Sequence, residues 1–265
     1  MMESMLLLIG VFSLALLAFV KKKLTISGAL AACIVGSLIA LGLKWFGLLL
    51  LGIFFFSSTL LGSLKGKKKN EVIEKGNTRD AAQVLANGGV AAILATLYLF
   101  YPSLIIICGF VGCLAAANAD TWATEVGAFS KTKPFHLLKK QRVEVGTSGA
   151  VTLLGSVAAL AGSLTIAMAA TYFWWGEMDS KVVLLIALTV AGFVGHFVDS
   201  LLGAVCQVIY RCSSCHIETE RKRHCGRTTV KEKGIEWVNN DSVNIACTIS
   251  GGLLGIAASF MVFYI

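Results

Sequence analysis

The sequence predicts an all-α polytopic transmembrane bundle of about eight spans, with the N-terminus and C-terminus outside. Three observations carry this: an apolar composition, a series of apolar windows of bilayer length, and a one-sided placement of basic residues. Hydrophobic residues fill 56% of the 265 positions and charged residues 14%, with a mean hydropathy of +0.78. A globule in water cannot bury that much apolar surface, so the bilayer is the solvent. The formal charge of +8 would suggest nucleic acid in a soluble protein. Here the bases lie between apolar runs rather than along a helix face, so they read as orientation signals and no nucleic-acid partner is expected.

Windows able to cross roughly 30 Å of hydrocarbon run over residues 3–20, 26–43, 45–63, 81–101, 103–127, 148–173, 182–208 and 240–264. The first lacks a basic n-region and a small-residue cleavage site and reads as a retained span. With the first loop in the cytoplasm, 21 of the 23 Lys and Arg fall on that side, leaving only Lys44 and Lys181 outside. That is the positive-inside distribution. It implies a single integral membrane domain over residues 1–265, with cytoplasmic loops at 65–79, 129–147 and 211–235, expected in a bacterial plasma membrane. Spans starting from the cytoplasm open on capping-type residues: Thr25 and Ser27, Thr78 and Asp80, Thr147 and Ser148, and Asn239 to Ser242.

Polar residues inside spans are costly, and here they are gathered. Asp80, Gln83 and Asn87 share one face of the fourth span, a stripe that fits either helix packing or a ligand. The fifth span ends with Asn118, Asp120, Thr121, Thr124 and Glu125 within about two turns. No Lys or Arg lies inside the spans, so a bound cation or a proton is the expected compensation. In the seventh span Gly192, His196, Asp199, Gly203 and Gln207 form a small-and-polar stripe, with Asp199 its anchor and His196 either an interhelical hydrogen bonder or a ligand. The eighth opens with Asn240, Asp241 and Asn244, more polar groups than one cap needs.

Gly146, Thr147 and Ser148 read as a glycine-flanked start of the sixth span, a setting suited to phosphate. No Walker-type Gly-x4-Gly-Lys-Ser/Thr loop occurs, which excludes an ordinary P-loop kinase. The last loop carries Cys212-x2-Cys215 and His224-Cys225, a set that suits a structural Zn²⁺ or stands as reduced cytosolic thiols. The other five cysteines fall in spans and read as packing residues.

Asp120, Glu125, Asp199 and Asp241 come from three spans, all in their cytoplasmic halves. Should they meet, hard oxygen ligands suit Mg²⁺, and basic loops with helix N-termini complement phosphate. A lipid tail then stays in the bilayer while its phosphate meets cytosolic nucleotide, which makes phosphoryl transfer the natural chemistry.

Five segments carry a resemblance: Leu24-Thr25-x-Ser27-Gly28-Ala29, Gln83 to Gly89, Ala119 to Gly127, Asp199 to Ala204, and Asn239-Asn240-Asp241-x-Val243-Asn244. Over nearly the whole chain the sequence resembles the integral membrane family called domain of unknown function 92, which includes the plant phytyl-phosphate kinase and the animal transmembrane protein 19. The resemblance implies a Mg²⁺-dependent kinase that uses CTP or ATP to convert an isoprenoid monophosphate, held in membrane lipid, to the diphosphate. Asp120, Glu125, Asp199 and Asp241 would then hold Mg²⁺. Asn87, Asn118 and Asn244 would position phosphate oxygens, with Gln83, Thr121, Thr124, Gly146, Thr147, Ser148, Gln207 and Asn240 around them and Arg79 and Lys65 on the nucleotide. The rival readings are an ion- or proton-coupled transporter and a lipid-phosphate cytidylyltransferase.

Overall fold

A computed structural model describes residues 2–64 and 78–263. Among them seven helices are long and apolar enough to cross a membrane: α1 (Met2–Val20), α2 (Ile26–Leu64), α3 (Ala81–Phe100), α4 (Leu104–Gly127), α5 (Leu153–Trp175), α6 (Lys181–Val205) and α7 (Asn240–Phe263).

The expected second and third spans are a single run, α2, broken at Lys44, where φ is 53° and ψ is −140°. The break reverses the chain. Arg79 shows this: its backbone carbonyl accepts from Thr25 N–H (3.0 Å), while its guanidinium lies 5.9 Å and 5.5 Å from the ring centres of Phe54 and Phe55. A straight helix would hold Thr25 and Phe54 about 43 Å apart. The two limbs, residues 26–43 and 45–64, therefore run antiparallel, and the seven helices make eight crossings. Lys44 ends at the outer side, where its ammonium donates to Ser4 Oγ (3.3 Å) beside the start of α1.

The bundle is built around α4. Nearly every residue from Ile107 to Ala119 is buried, and many are Gly, Ala or Cys. Membrane helices associate through close packing of small residues rather than through exclusion of water. The pattern Gly251-x3-Gly255 on α7 meets Cys108-x3-Gly112 on α4 so closely that a Cβ on Gly251 or Gly112 would overlap the other's carbonyl oxygen. On α6, Gly192 and Gly195 give the same close approach to Ala115 and Ala116. The outer half is filled by aromatic rings: Phe46 stacks on Phe173 at 5.1 Å and meets Trp174 edge-on at 5.7 Å. Leu, Ile, Val and Phe side chains left exposed on α1, α2, α5 and α6 form the surface offered to lipid.

Two connecting segments on the basic side carry short strands that an all-helical reading does not include. Strands β1 (Phe135–His136), β2 (Gln141–Arg142) and β3 (Ala150–Val151) make one antiparallel sheet in the order β2-β1-β3. After α6, β4 (Ile209–Arg211) lies between β5 (Glu218–Thr219) and β8 (Val230–Lys233), and β6 (Arg223–His224) pairs with β7 (Arg227–Thr228). An ion pair between Arg211 and Glu232 crosses the β4–β8 ladder, and Lys139 reaches Glu218 at 3.9 Å, linking the two segments. Burial pulls the Lys233 ammonium down, Lys139 adding to it. The Arg211 guanidinium holds Glu232 below the usual carboxylate range.

The structure corrects the sixth span. It starts at Leu153, capped by the Thr152 hydroxyl, which accepts from Gly155 N–H (2.9 Å). Residues Gly146, Thr147 and Ser148 belong instead to a turn, with φ of 93° at Gly146 and 77° at Gly149. A left-handed residue packed against Ala204 has no room for a side chain, so the glycines here serve the turn and not a helix start. The seventh span likewise stops at Val205, leaving Gln207 beyond it. The other caps follow the sequence reading: Thr25 Oγ1 accepts from Gly28 N–H (3.0 Å), and Asn239 Oδ1 from Ser242 N–H (3.0 Å). Asp80 and Gln83 form a reciprocal capping box on α3.

Candidate active site

A cavity of about 1350 Å³ opens on the basic side of the bundle and extends along α1 toward the outer side. Its polar end is made by side chains from α3, α4, α6 and α7 and by the two strand-bearing segments. Its other end is an apolar groove between α1 and the second limb of α2 (residues 45–64), lined by Leu7, Val11, Leu14, Trp45, Leu49 and Phe56 among others.

Asp120 on α4 and Asp199 on α6 adjoin in the polar end, close enough for one carboxyl group to act on the other. They meet because α6 lies on α4 through Gly192 and Gly195, which brings the next turns of both helices together. His196, one turn before Asp199, places Nδ1 3.0 Å from Asp120 Oδ1. With Asp120 ionised the ring donates there, which fixes its tautomer and the carboxylate's direction. Asp199 Oδ1 is buried with no hydrogen-bond partner among the described residues. Two adjoining acids need a cation or a shared proton, and a buried bare carboxylate oxygen is a metal-ligand position.

Glu125 stands in the same cavity but faces elsewhere. Its carboxyl packs where a Cβ on Gly62 would lie 3.7 Å away, and its charge acts on Arg79. Compensation for this acid thus comes from a base that the span-by-span reading left outside. Burial draws the Arg79 guanidinium below its ordinary value, and Glu125 opposes that shift. The Arg79 backbone is stitched to the connection between α1 and α2 by Arg79 N–H to the Lys23 carbonyl and Thr25 N–H to the Arg79 carbonyl, both 3.0 Å.

Gln83, Asn87, Thr121, Thr124, Gly146, Thr147, Ser148, Gln207, Asn240 and Asn244 all line the cavity. Several are already engaged. Gln83 completes the capping box, Asn87 Nδ2 donates to the Gln83 carbonyl (2.9 Å), and the Thr121 hydroxyl donates to the Ala117 carbonyl (2.9 Å). The Ser148 hydroxyl lies 2.9 Å from the Gly203 carbonyl and 2.5 Å from Gln207 Oε1, whose amide nitrogen donates to Glu220 Oε1 at 2.8 Å.

Asn118 does not line the cavity. It is fully buried, accepting from the Ser57 hydroxyl (3.2 Å) and donating to the Gly162 carbonyl (2.8 Å), so it ties α2, α4 and α5 together. Trp122 Nε1 donates to the same Ser57 hydroxyl at 3.1 Å. Asn118→Ala is expected to cost about 1–2 kcal/mol, read as a lower unfolding temperature in detergent. Asp241 is buried at the first turn of α7 and is likewise not part of the lining, although its neighbours Asn240 and Asn244 are. Its charge complements the helix N-terminus. Lys65 lies outside the described residues.

Glu220 and Arg221 enter the cavity mouth, and Glu220 adds its charge to the field at Asp199. Neither carries a sequence signal, because they sit in an irregular segment whose position is set by the Gln207 bond. Beside them, Cys212, Cys215, His224 and Cys225 bring four ligand-type atoms within 4.8 Å of one another. Backbone N–H groups of Cys215 and Ser214 draw the Cys212 thiol down to about 6.

Residues 9–252 match the family described as integral membrane protein DUF92. The chain belongs to that family. Among DUF92-type relatives, Protein PGR of Arabidopsis thaliana is 29% identical, with 94% of each chain covered. An uncharacterized membrane protein of Methanocaldococcus jannaschii is 30% identical over 94% of this chain and 93% of its own. Protein VTE6, chloroplastic, of Arabidopsis thaliana is 25% identical over 88% of this chain and 64% of its own. No solved structure matches the chain.

Proposed function

We propose that this DUF92 protein is a Mg²⁺-dependent kinase that transfers a phosphoryl group from CTP or ATP to an isoprenoid monophosphate at the cytoplasmic membrane face. The observation that carries the reading is the continuity of the cavity: one end is an apolar groove at membrane depth, the other holds Asp120 and Asp199. On α1 the groove's lining runs from Leu6 to Ala18, about 18 Å of helix, which suits an extended hydrocarbon chain. The lipid-phosphate chemistry agrees with what the family resemblance implies.

Asp120 and Asp199 would hold the metal, with His196 fixing Asp120. Bound there, Mg²⁺ neutralises charge that spreads over the transferred phosphoryl group. Arg79, anchored by its backbone and backed by Glu125, offers a partly desolvated cation to phosphate. Asn87, Asn240 and Asn244 offer amides, and Arg221 stands at the mouth where cytosolic nucleotide enters. In the transfer, an oxygen of the acceptor monophosphate attacks the γ-phosphorus while the bond to the β–γ bridging oxygen breaks, and nucleoside diphosphate leaves. A phosphate monoester with a second pKa near 6 is mostly dianionic at neutral pH, so no general base is required.

A transport reading finds less support. The charged and amide groups that line the cavity, Asp120, Glu125, Asp199, Arg79, Asn87 and Asn244 among them, stand toward one end of it, and its other end is apolar. The test is to incubate purified protein in mixed micelles with prenyl monophosphates of several lengths, Mg²⁺ and γ-labelled CTP or ATP. Label should appear in a prenyl diphosphate. Release of pyrophosphate would instead identify a cytidylyltransferase, and absence of product at every chain length would refute both.

A further inference from the structure

We infer that Cys212, Cys215, His224 and Cys225 bind one structural Zn²⁺, which closes the segment carrying Glu220 and Arg221 over the cytoplasmic mouth of the cavity. A tetrahedral ion with bonds of about 2.0–2.3 Å sets its ligand atoms roughly 3.5–3.8 Å apart. Here His224 Nδ1 already lies 3.4 Å from Cys215 Sγ and 3.3 Å from Cys225 Sγ, and all four ligand atoms fall within 4.8 Å of one another.

The backbone is shaped for such a site. Cys212 follows β4, and its sulfur accepts the Ser214 N–H (3.4 Å), the turn ending in left-handed His216 at φ 58°. Opposite it, Cys225 and Gly226 form the two-residue turn of the β6–β7 hairpin, with φ of 51° and 73°. A turn with positive φ at both central residues is the type that fits a hairpin's twist, yet here a cysteine occupies a position better suited to Asn or Gly. That mismatch is accounted for if the side chain is needed at the tip. Two local turns, one before Glu218 and one after Arg223, thus present four ligands to one point. Cys212 is fully buried, while Cys215 and Cys225 are exposed, so an incoming ion has a path.

The ion would pin both ends of residues 216–223. Inside that stretch the Thr229 hydroxyl donates to the Arg221 carbonyl (2.8 Å) and Gln207 holds Glu220, so a fixed loop places both side chains in the cavity. This last consequence rests on the cavity being the reaction site; the metal site does not.

Elemental analysis of the full-length protein, purified under reducing conditions without chelator, is expected to give one zinc per chain. Replacement by Co²⁺ should give the thiolate-to-cobalt absorption of a tetrahedral site. Cys212→Ser and Cys225→Ser should each lower zinc content at least tenfold. Chelation of the wild type should speed tryptic cleavage after Lys222, Arg223 and Arg227 by tenfold or more, with Zn²⁺ restoring protection. Less than a tenth of an equivalent of zinc together with no cobalt spectrum overturns the site, and equal cleavage with and without metal overturns its closing role. Neither readout depends on kinase activity, so failure of one proposal leaves the other standing.

Discussion

Asp120→Asn is expected to lower the proposed phosphoryl transfer by on the order of 10³-fold, the loss that follows when a group that stabilises transition-state charge is removed. The substitution preserves shape and the contact with His196, but it takes away one of the two charges that would seat the proposed metal. Asp199→Asn is expected to act similarly, and the double variant no worse than either alone, because both serve one ion. His196→Gln, which alters only how Asp120 is held, costs about 10- to 100-fold and raises the Mg²⁺ concentration needed for half-maximal rate. Initial rates against Mg²⁺ at saturating prenyl monophosphate distinguish these effects. Retention of more than a tenth of the activity by Asp120→Asn would remove the aspartate pair from the mechanism.

Gly251→Leu abolishes recovery of folded protein. A side chain at this position runs into the Gly112 carbonyl and the Ala116 methyl, and backbone cannot yield as a flexible side chain can. Overpacking of well-packed positions costs about 1–3 kcal/mol or more, and here it separates the two central helices along their length. Gly112→Leu repeats the experiment from the other face. Gly10→Ala, where nothing lies within 4 Å, should leave the unfolding temperature nearly unchanged. A monodisperse Gly251→Leu protein with a wild-type unfolding temperature would mean that α4 and α7 do not pack as described.

Much of the architecture was readable because bilayer physics leaves a strong imprint on sequence. Apolar length gave the spans, and Lys and Arg gave their direction. Even the reversal at Lys44 was marked, by the one lysine between two apolar windows that helical geometry alone joins into one run. The site was harder. That Asp120 and Asp199 are candidate site residues follows from their depth, but that they adjoin depends on which helices pair, and this is set by glycines on α6 and alanines on α4 with no local signature. Asn118 looked identical in kind to the ligands near it, and only its two interhelical partners reveal a tie. Gly146 to Gly149 misled because glycine before an apolar run marks a helix start or a turn equally well, and only the backbone angles tell them apart. Cys212, Cys215, His224 and Cys225 were legible from spacing, since short loops bring such residues together by chain connectivity.

The single-residue reversal at Lys44 belongs to a wider economy. The other outward connections are as sparse: residues 101–103 between α3 and α4, and 176–180 between α5 and α6. Among the described residues, the strand-bearing connections 128–152 and 206–239 lie on the opposite side. A protease or antibody that reaches the side of these bends would therefore meet almost nothing, whereas one that reaches the opposite side would find the whole strand-bearing crown.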